Sequence, residues 1–226
     1  MCTLPAGTRE TADRKTTPRD SRGLGTVRGV LIAEAVIELT DHAGFAGWPT
    51  SRVVGFGYGR LQADLTVEEV GSVVWSFLDA NHVFDDPDSD GATVLGGVRI
   101  TDTTTGVVLV PGCCSDLSGR FDLVRSVADG AGDPWLGHGP WPAVQFSGNE
   151  VRFVVDTERT EDVAFTATLD EARAALDLIE GDLMGFLDTL EQWAAVHVPD
   201  RADDVIARFR RGIALSDVVD GPRGGA

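Results

Sequence analysis

The chain has 226 residues, 42% of them hydrophobic, and carries 36 acidic against 19 basic side chains for a net charge of −17. That length and apolar content suffice for one domain with a sizeable core, while the negative field repels nucleic acid and anionic lipid and speeds encounter with a basic protein. No window approaches 18 uninterrupted apolar residues, and charges fill the N-terminal stretch where a signal peptide needs an apolar run, so the expectation is a cytoplasmic protein with no membrane contact.

Residues 1–26 hold five basic and three acidic side chains, net +2, which leaves −19 on the remainder. They show no apolar period and are expected to be a disordered tail. The domain is placed at 27–215, with a flexible tail at 216–226. VRGVLIAEAVIEL (27–39) suits a buried strand, and RVVGFGYGRLQADL (52–65) a second one after a turn-rich loop. Thr66 begins a helix: T-V-E-E places Glu69 three residues on, as a reciprocal capping box requires. Val67, Val70, Val74, Phe77 and Leu78 then recur at three and four until about Asn81.

After an acidic loop, TVLGGVRITDTTTGVVLVPG reads as two strands around TDTTTG, followed by a short helix over 117–127 burying Leu117, Phe121, Val124 and Val127. AVQFSGNEVRFVVD is a hairpin turning at Ser-Gly-Asn, and VAFTA is one more strand. A second capping box, Thr168 with Glu171, opens a long helix. Its stripe Ala172, Leu176, Ile179, Leu183, Phe186, Leu190, Trp193 and His197 runs until Pro199 forbids continuation. Asp200 can cap a last helix bearing Val205, Ile206, Phe209 and Ile213. Hairpins dominate without a strand–helix alternation, so the expected class is α+β, a mostly antiparallel sheet with helices packed on one face and a long C-terminal helix.

Four patterns bear on chemistry. In VPGCCSDLSGR, Cys114 is followed six residues on by Arg120, with a strand before and a helix after. A thiolate delivered to a tight loop, backbone N–H groups, and an arginine holding phosphate bidentately would make a phosphatase. The stretch resembles the protein tyrosine phosphatase signature, including a glycine directly before the arginine. The resemblance implies Cys114 as nucleophile, Arg120 as phosphate clamp and an aspartate of residues 85–90 as acid. It departs from that pattern in having Cys113 before the nucleophile, no glycine in mid-loop, and hairpins around it rather than a parallel sheet. The bland alternative is a small, mostly buried cysteine pair at a strand end.

Asp86, Asp88, Asp90 and Gly91 match D-x-D-x-D-G, the first half of a calcium loop, but the twelfth position is Gly97 instead of a bidentate glutamate. A solvated acidic turn including Asp85 is the simpler alternative. His42, His82, His138 and His197 are scattered without zinc-ligand spacing. Three cysteines, Cys2, Cys113 and Cys114, fit a reducing compartment, since adjacent cysteines bridge only at a cost in strain.

In DPWLGHGPWP (133–142), Trp135, His138 and Trp141 sit among Gly and Pro. They either plug a sheet edge, as the usual burial of tryptophan favours, or present aromatic faces for binding. PGCC, WLGHGPWP and the helix ending LEQWAAVHVPD together resemble uncharacterised proteins of high-GC bacteria, over roughly residues 27–213, and that resemblance implies no activity. With no complete catalytic constellation and no cofactor beyond the calcium possibility, the resulting expectation is a non-enzymatic acidic protein-binding module. It would be an inhibitor or immunity-type antidote to a basic toxin or enzyme, docking through Trp135, His138, Trp141, Asp85, Asp86, Asp88 and Asp90. The alternative is a cysteine-dependent phosphatase-like enzyme using Cys114 and Arg120.

Overall fold

The structure, a computed structural model, describes residues 30–51, 57–86, 88–160 and 163–213. The expected tails at 1–26 and 216–226 lie outside the described residues. Among the described residues seven strands form two antiparallel sheets, and helices cover them, so the class is α+β. In the larger sheet the order is β2 (Gly57–Arg60), β1 (Leu31–Leu39), β3 (Gly96–Asp102), β4 (Val108–Leu109). β1 lies at the centre because its alternation of Ala33, Ala35 and Ile37 feeds the core, while Glu34 and Glu38 point to the opposite face. Glu34 lies opposite Arg99 in register and is bound by it at 2.6 Å, the cross-strand ion pair that the pleat allows. The smaller sheet runs β5 (Ala143–Ser147), β6 (Glu150–Val154), β7 (Ala164–Thr168).

Both capping boxes form. Thr66 accepts from Glu69 N at 3.2 Å while Glu69 accepts from Thr66 N at 2.8 Å, opening α1 (Val67–Ala80), and Thr168 with Glu171 repeats those distances at α3 (Leu169–Leu176). Each such cap contributes about 1 kcal/mol. The single long helix expected from Thr168 onward is broken at Asp177 and Leu178, and α4 (Ile179–His197) continues it. Both pieces pack on β1, but their other neighbours differ: α3 lies against α2 (Arg120–Asp129) and β7, α4 against α1 and α5 (Ala202–Ile213). The break leaves the apolar stripe intact from Ala172 to Trp193, all buried, with His197 half-buried. One hydrophobic cluster joins both sheets to these helices.

The segment after Asp116 corrects an expected phase. A 3₁₀ turn (Leu117–Gly119) precedes α2, and each 3₁₀ residue advances about 120° rather than about 100°. The buried face is therefore Leu117, Arg120, Leu123 and Val127, with Phe121 only half-buried and Val124 exposed. Among the described residues no helix is long and apolar enough to cross a membrane.

Candidate functional site

The loop from Pro111 to Asp116 joins β4 to α2, and several N–H groups in it and just after it are spent on acceptors within the protein. Cys113 N donates to His138 O at 2.6 Å, Ser115 N to Gly112 O at 3.4 Å, Leu117 N to Val94 O at 2.9 Å and Ser118 N to Asp116 Oδ1 at 2.8 Å. Arg120, the expected phosphate clamp, is buried: Nε donates to Glu180 Oε1 at 2.8 Å, Nη1 to Leu117 O at 3.1 Å, and the guanidinium lies 4.0 Å from the Phe121 ring centre. Cys114 and Cys113 are exposed. The phosphatase arrangement is thus corrected on two grounds. The N–H groups of Cys113, Ser115, Leu117 and Ser118 are spent on internal acceptors, and Arg120 serves as a core side chain because the 3₁₀ turn rotates it inward. The expectation of a buried cysteine pair is corrected as well.

Glu38 and Tyr58 stand opposite each other on β1 and β2, facing this loop. The Tyr58 hydroxyl donates to Pro111 O at 2.6 Å, and burial, the Glu38 carboxylate and Cys113 push its pKa up to about 12. Burial also raises the Glu38 carboxyl, whose Oε1 has no hydrogen-bond partner among the described residues. Tyr58 is the chain's one tyrosine, so tyrosinate absorbance reports it alone. Native protein should show no tyrosinate until the pH nears 12, whereas unfolded protein ionises near the ordinary value of about 10. Because the folded value is the higher one, the hydroxyl's contribution to stability is complete below pH 10 and is lost between pH 10 and about 12. A native transition at the unfolded value would contradict the burial of this hydroxyl beside Glu38.

Trp135, His138 and Trp141 come together, with ring centres 5.4 to 6.2 Å apart. The sheet-edge plug is corrected: Trp135 is 52% and Trp141 37% exposed, because the turns of this loop run over the surface while Leu136 fills the core in their place.

Asp85, Asp86, Asp88 and Asp90 are all exposed. Their loop is pinned from beneath. Ser89 Oγ donates to Asn81 O at 2.9 Å, Asn81 Nδ2 donates to Phe77 O at 2.8 Å, and the buried Arg208 of α5 donates to the carbonyls of Ser89 and Gly91. Arg208 also holds Asp204 at 2.8 Å, so the loop and the acidic first turn of α5, with exposed Asp203, share one anchor, and exposed Asp200 lies in the 3₁₀ turn just before it. The calcium reading is corrected: among the described residues no group of three or more His, Cys, Asp or Glu could hold a metal ion. Asp86 spends Oδ1 on the N–H of Asp88 at 3.1 Å, closing a turn in which the carboxylates do not converge.

Beside this loop lies an aromatic stack that sequence reasoning missed. Phe84, 40% exposed, stacks on Trp75 at 4.5 Å, and Phe45 sits 4.3 Å from Trp75 and 4.6 Å from Trp48. The one available signal was a phenylalanine directly preceding the aspartates; its ring partners come from α1 and from the 42–50 loop, distant in sequence.

The fold and these surfaces define an α+β protein with an acidic, aromatic-edged exterior. No family model matches the chain, and no curated protein and no solved structure matches it either.

Proposed function

We propose that this chain is an acidic protein-binding module that docks a basic partner protein, in the manner of an inhibitor of, or antidote to, a basic toxin or enzyme. The carrying observation is the pinned loop of Asp85, Asp86, Asp88 and Asp90, edged by exposed Phe84 on one side and the first turn of α5 on the other. An aromatic anchor beside a preorganised charged rim is the composition that concentrates binding energy, and the charges steer encounter. The net charge supports the same reading. Arg60, Arg99, Arg120, Arg173, Arg208 and Arg210 each hold a carboxylate within the molecule, so the outward field is carboxylate.

The test is capture at low salt with the full chain as bait, identification of a stoichiometric basic protein, and association kinetics with that protein. Raising salt from 0.05 to about 0.5 M should slow association at least about tenfold. D85N/D86N/D88N/D90N should slow association further, while F84A should speed dissociation, each variant first checked for an unchanged melting temperature. Recovery of no basic protein, or association indifferent to both salt and the quadruple variant, would overturn the proposal.

A further inference from the structure

Neighbouring Cα atoms across a trans peptide lie about 3.80 Å apart, short of the roughly 4.4 Å that disulfides ordinarily need, so two adjacent cysteines can bridge only from an unusual backbone. The chain supplies one. Cys114 adopts φ +63, in the left-handed region that non-glycine residues rarely occupy, and its Sγ lies 3.4 Å from that of Cys113. Both thiols are exposed. Cys113 is clamped to the aromatic loop by two backbone bonds, N to His138 O at 2.6 Å and its own O from His138 N at 3.0 Å, and Gly112 N donates to Leu136 O at 2.7 Å. The approach is so close that a Cβ on Gly112 would overlap the backbone of His138.

We propose that Cys113 and Cys114 are a reversible dithiol–disulfide switch, closed by hydrogen peroxide and reopened by a small thiol, whose closure is transmitted to the loop of Trp135, His138 and Trp141. The Cys114 sulfur attacks one peroxide oxygen; the S–O bond forms as O–O breaks, and the departing hydroxide leaves as water with the thiol proton. The Cys113 sulfur then attacks the resulting sulfenic sulfur. The S–S bond forms, S–O breaks, and the second hydroxide leaves as water with the Cys113 proton, so two electrons pass from the sulfurs to the peroxide. The contact with Cys114 and the Glu38 carboxylate raise the Cys113 pKa, which disfavours its thiolate for the opening attack on peroxide and leaves Cys113 the second step. A small strained ring is readily reduced, which makes the pair a switch rather than a staple. Its lever arm is short, because the His138 ring packs on Trp141 at 5.4 Å and on Trp135 at 6.1 Å.

The switch is independent of any docked partner and is tested without one. The full-length C2S variant is treated with equimolar hydrogen peroxide. The expected product has lost two hydrogens in mass, confined to the tryptic peptide 100–120, with both thiols closed to alkylation and reopened by dithiothreitol. Tryptophan emission should shift on closure, and the shift should vanish in C2S/W135F/W141F. Thiols that stay alkylatable, or a bridge between two molecules instead of within one, would overturn the switch. A disulfide that forms without any emission change would overturn its transmission to the aromatic loop.

Discussion

Arg120→Ala should cost about 3 kcal/mol of folding stability, and Arg120→Met about 1 kcal/mol or less, read as shifts of the urea midpoint at constant slope. The difference follows from what the side chain does. Arg120 is 1% exposed while its partner Glu180 is 51% exposed, so the ion pair is half-solvated and contributes little, and a freed Glu180 simply rehydrates. Both substitutions give up the guanidinium's contact with Phe121 and its bond to Leu117 O, but alanine also leaves a void where the buried side chain stood. Methionine refills the void. It also removes the buried Nη2, which has no hydrogen-bond partner among the described residues. If Arg120→Met proves as damaging as Arg120→Ala, the charge itself is required there and the structural role assigned to it is wrong.

Gly96→Ala should destabilise by about 3 kcal/mol or more, combining conformational strain with overlap. Gly96 opens β3 at φ +141, a backbone that side chains rarely adopt, and stands opposite Ile37 of the central strand. A methyl group there would overlap the Val36 carbonyl oxygen and come within 2.9 Å of the Ile37 Cα. The position also donates to Ser115 O at 3.0 Å, which ties the cysteine loop to the sheet. Gly148→Ala is the matched control. It too has positive φ, +60, but nothing lies within 4 Å of the added carbon, so only the backbone cost of about 1 kcal/mol applies. Equal effects of the two substitutions would show that crowding against β1 is not what Gly96 relieves.

The parts of this protein that were legible in the sequence are those whose physics spans a few residues. Thr66 with Glu69 and Thr168 with Glu171 cap because a side chain reaches an N–H three residues on, and the hairpin of β5 and β6 forms around its Ser-Gly-Asn turn with Ser147 opposite Glu150. The stripe from Ala172 to Trp193 survives a helix break because its spacing of three and four is preserved across Asp177 and Leu178. The Gly- and Pro-rich setting of Trp135, His138 and Trp141 likewise marked a loop, while the meeting of their rings came only with the structure.

Only the tertiary structure decided the rest, because each remaining feature is a meeting of segments that no local pattern connects. β1 pairs with β3 across an intervening strand and helix, and the strands divide into two sheets. A single 3₁₀ turn carries Arg120 from the loop into the core, so the spacing of Cys114 and Arg120 that suggested a phosphate site places thiol and guanidinium in different environments. Phe84 gains its partners from two separated stretches, and Cys113 is held by His138 across a span that sequence distance hides. Chain chemistry determined which residues could cap, turn and carry charge; long-range packing determined which of them are buried and which face solvent, since burial depends on neighbours the chain brings together only when it folds.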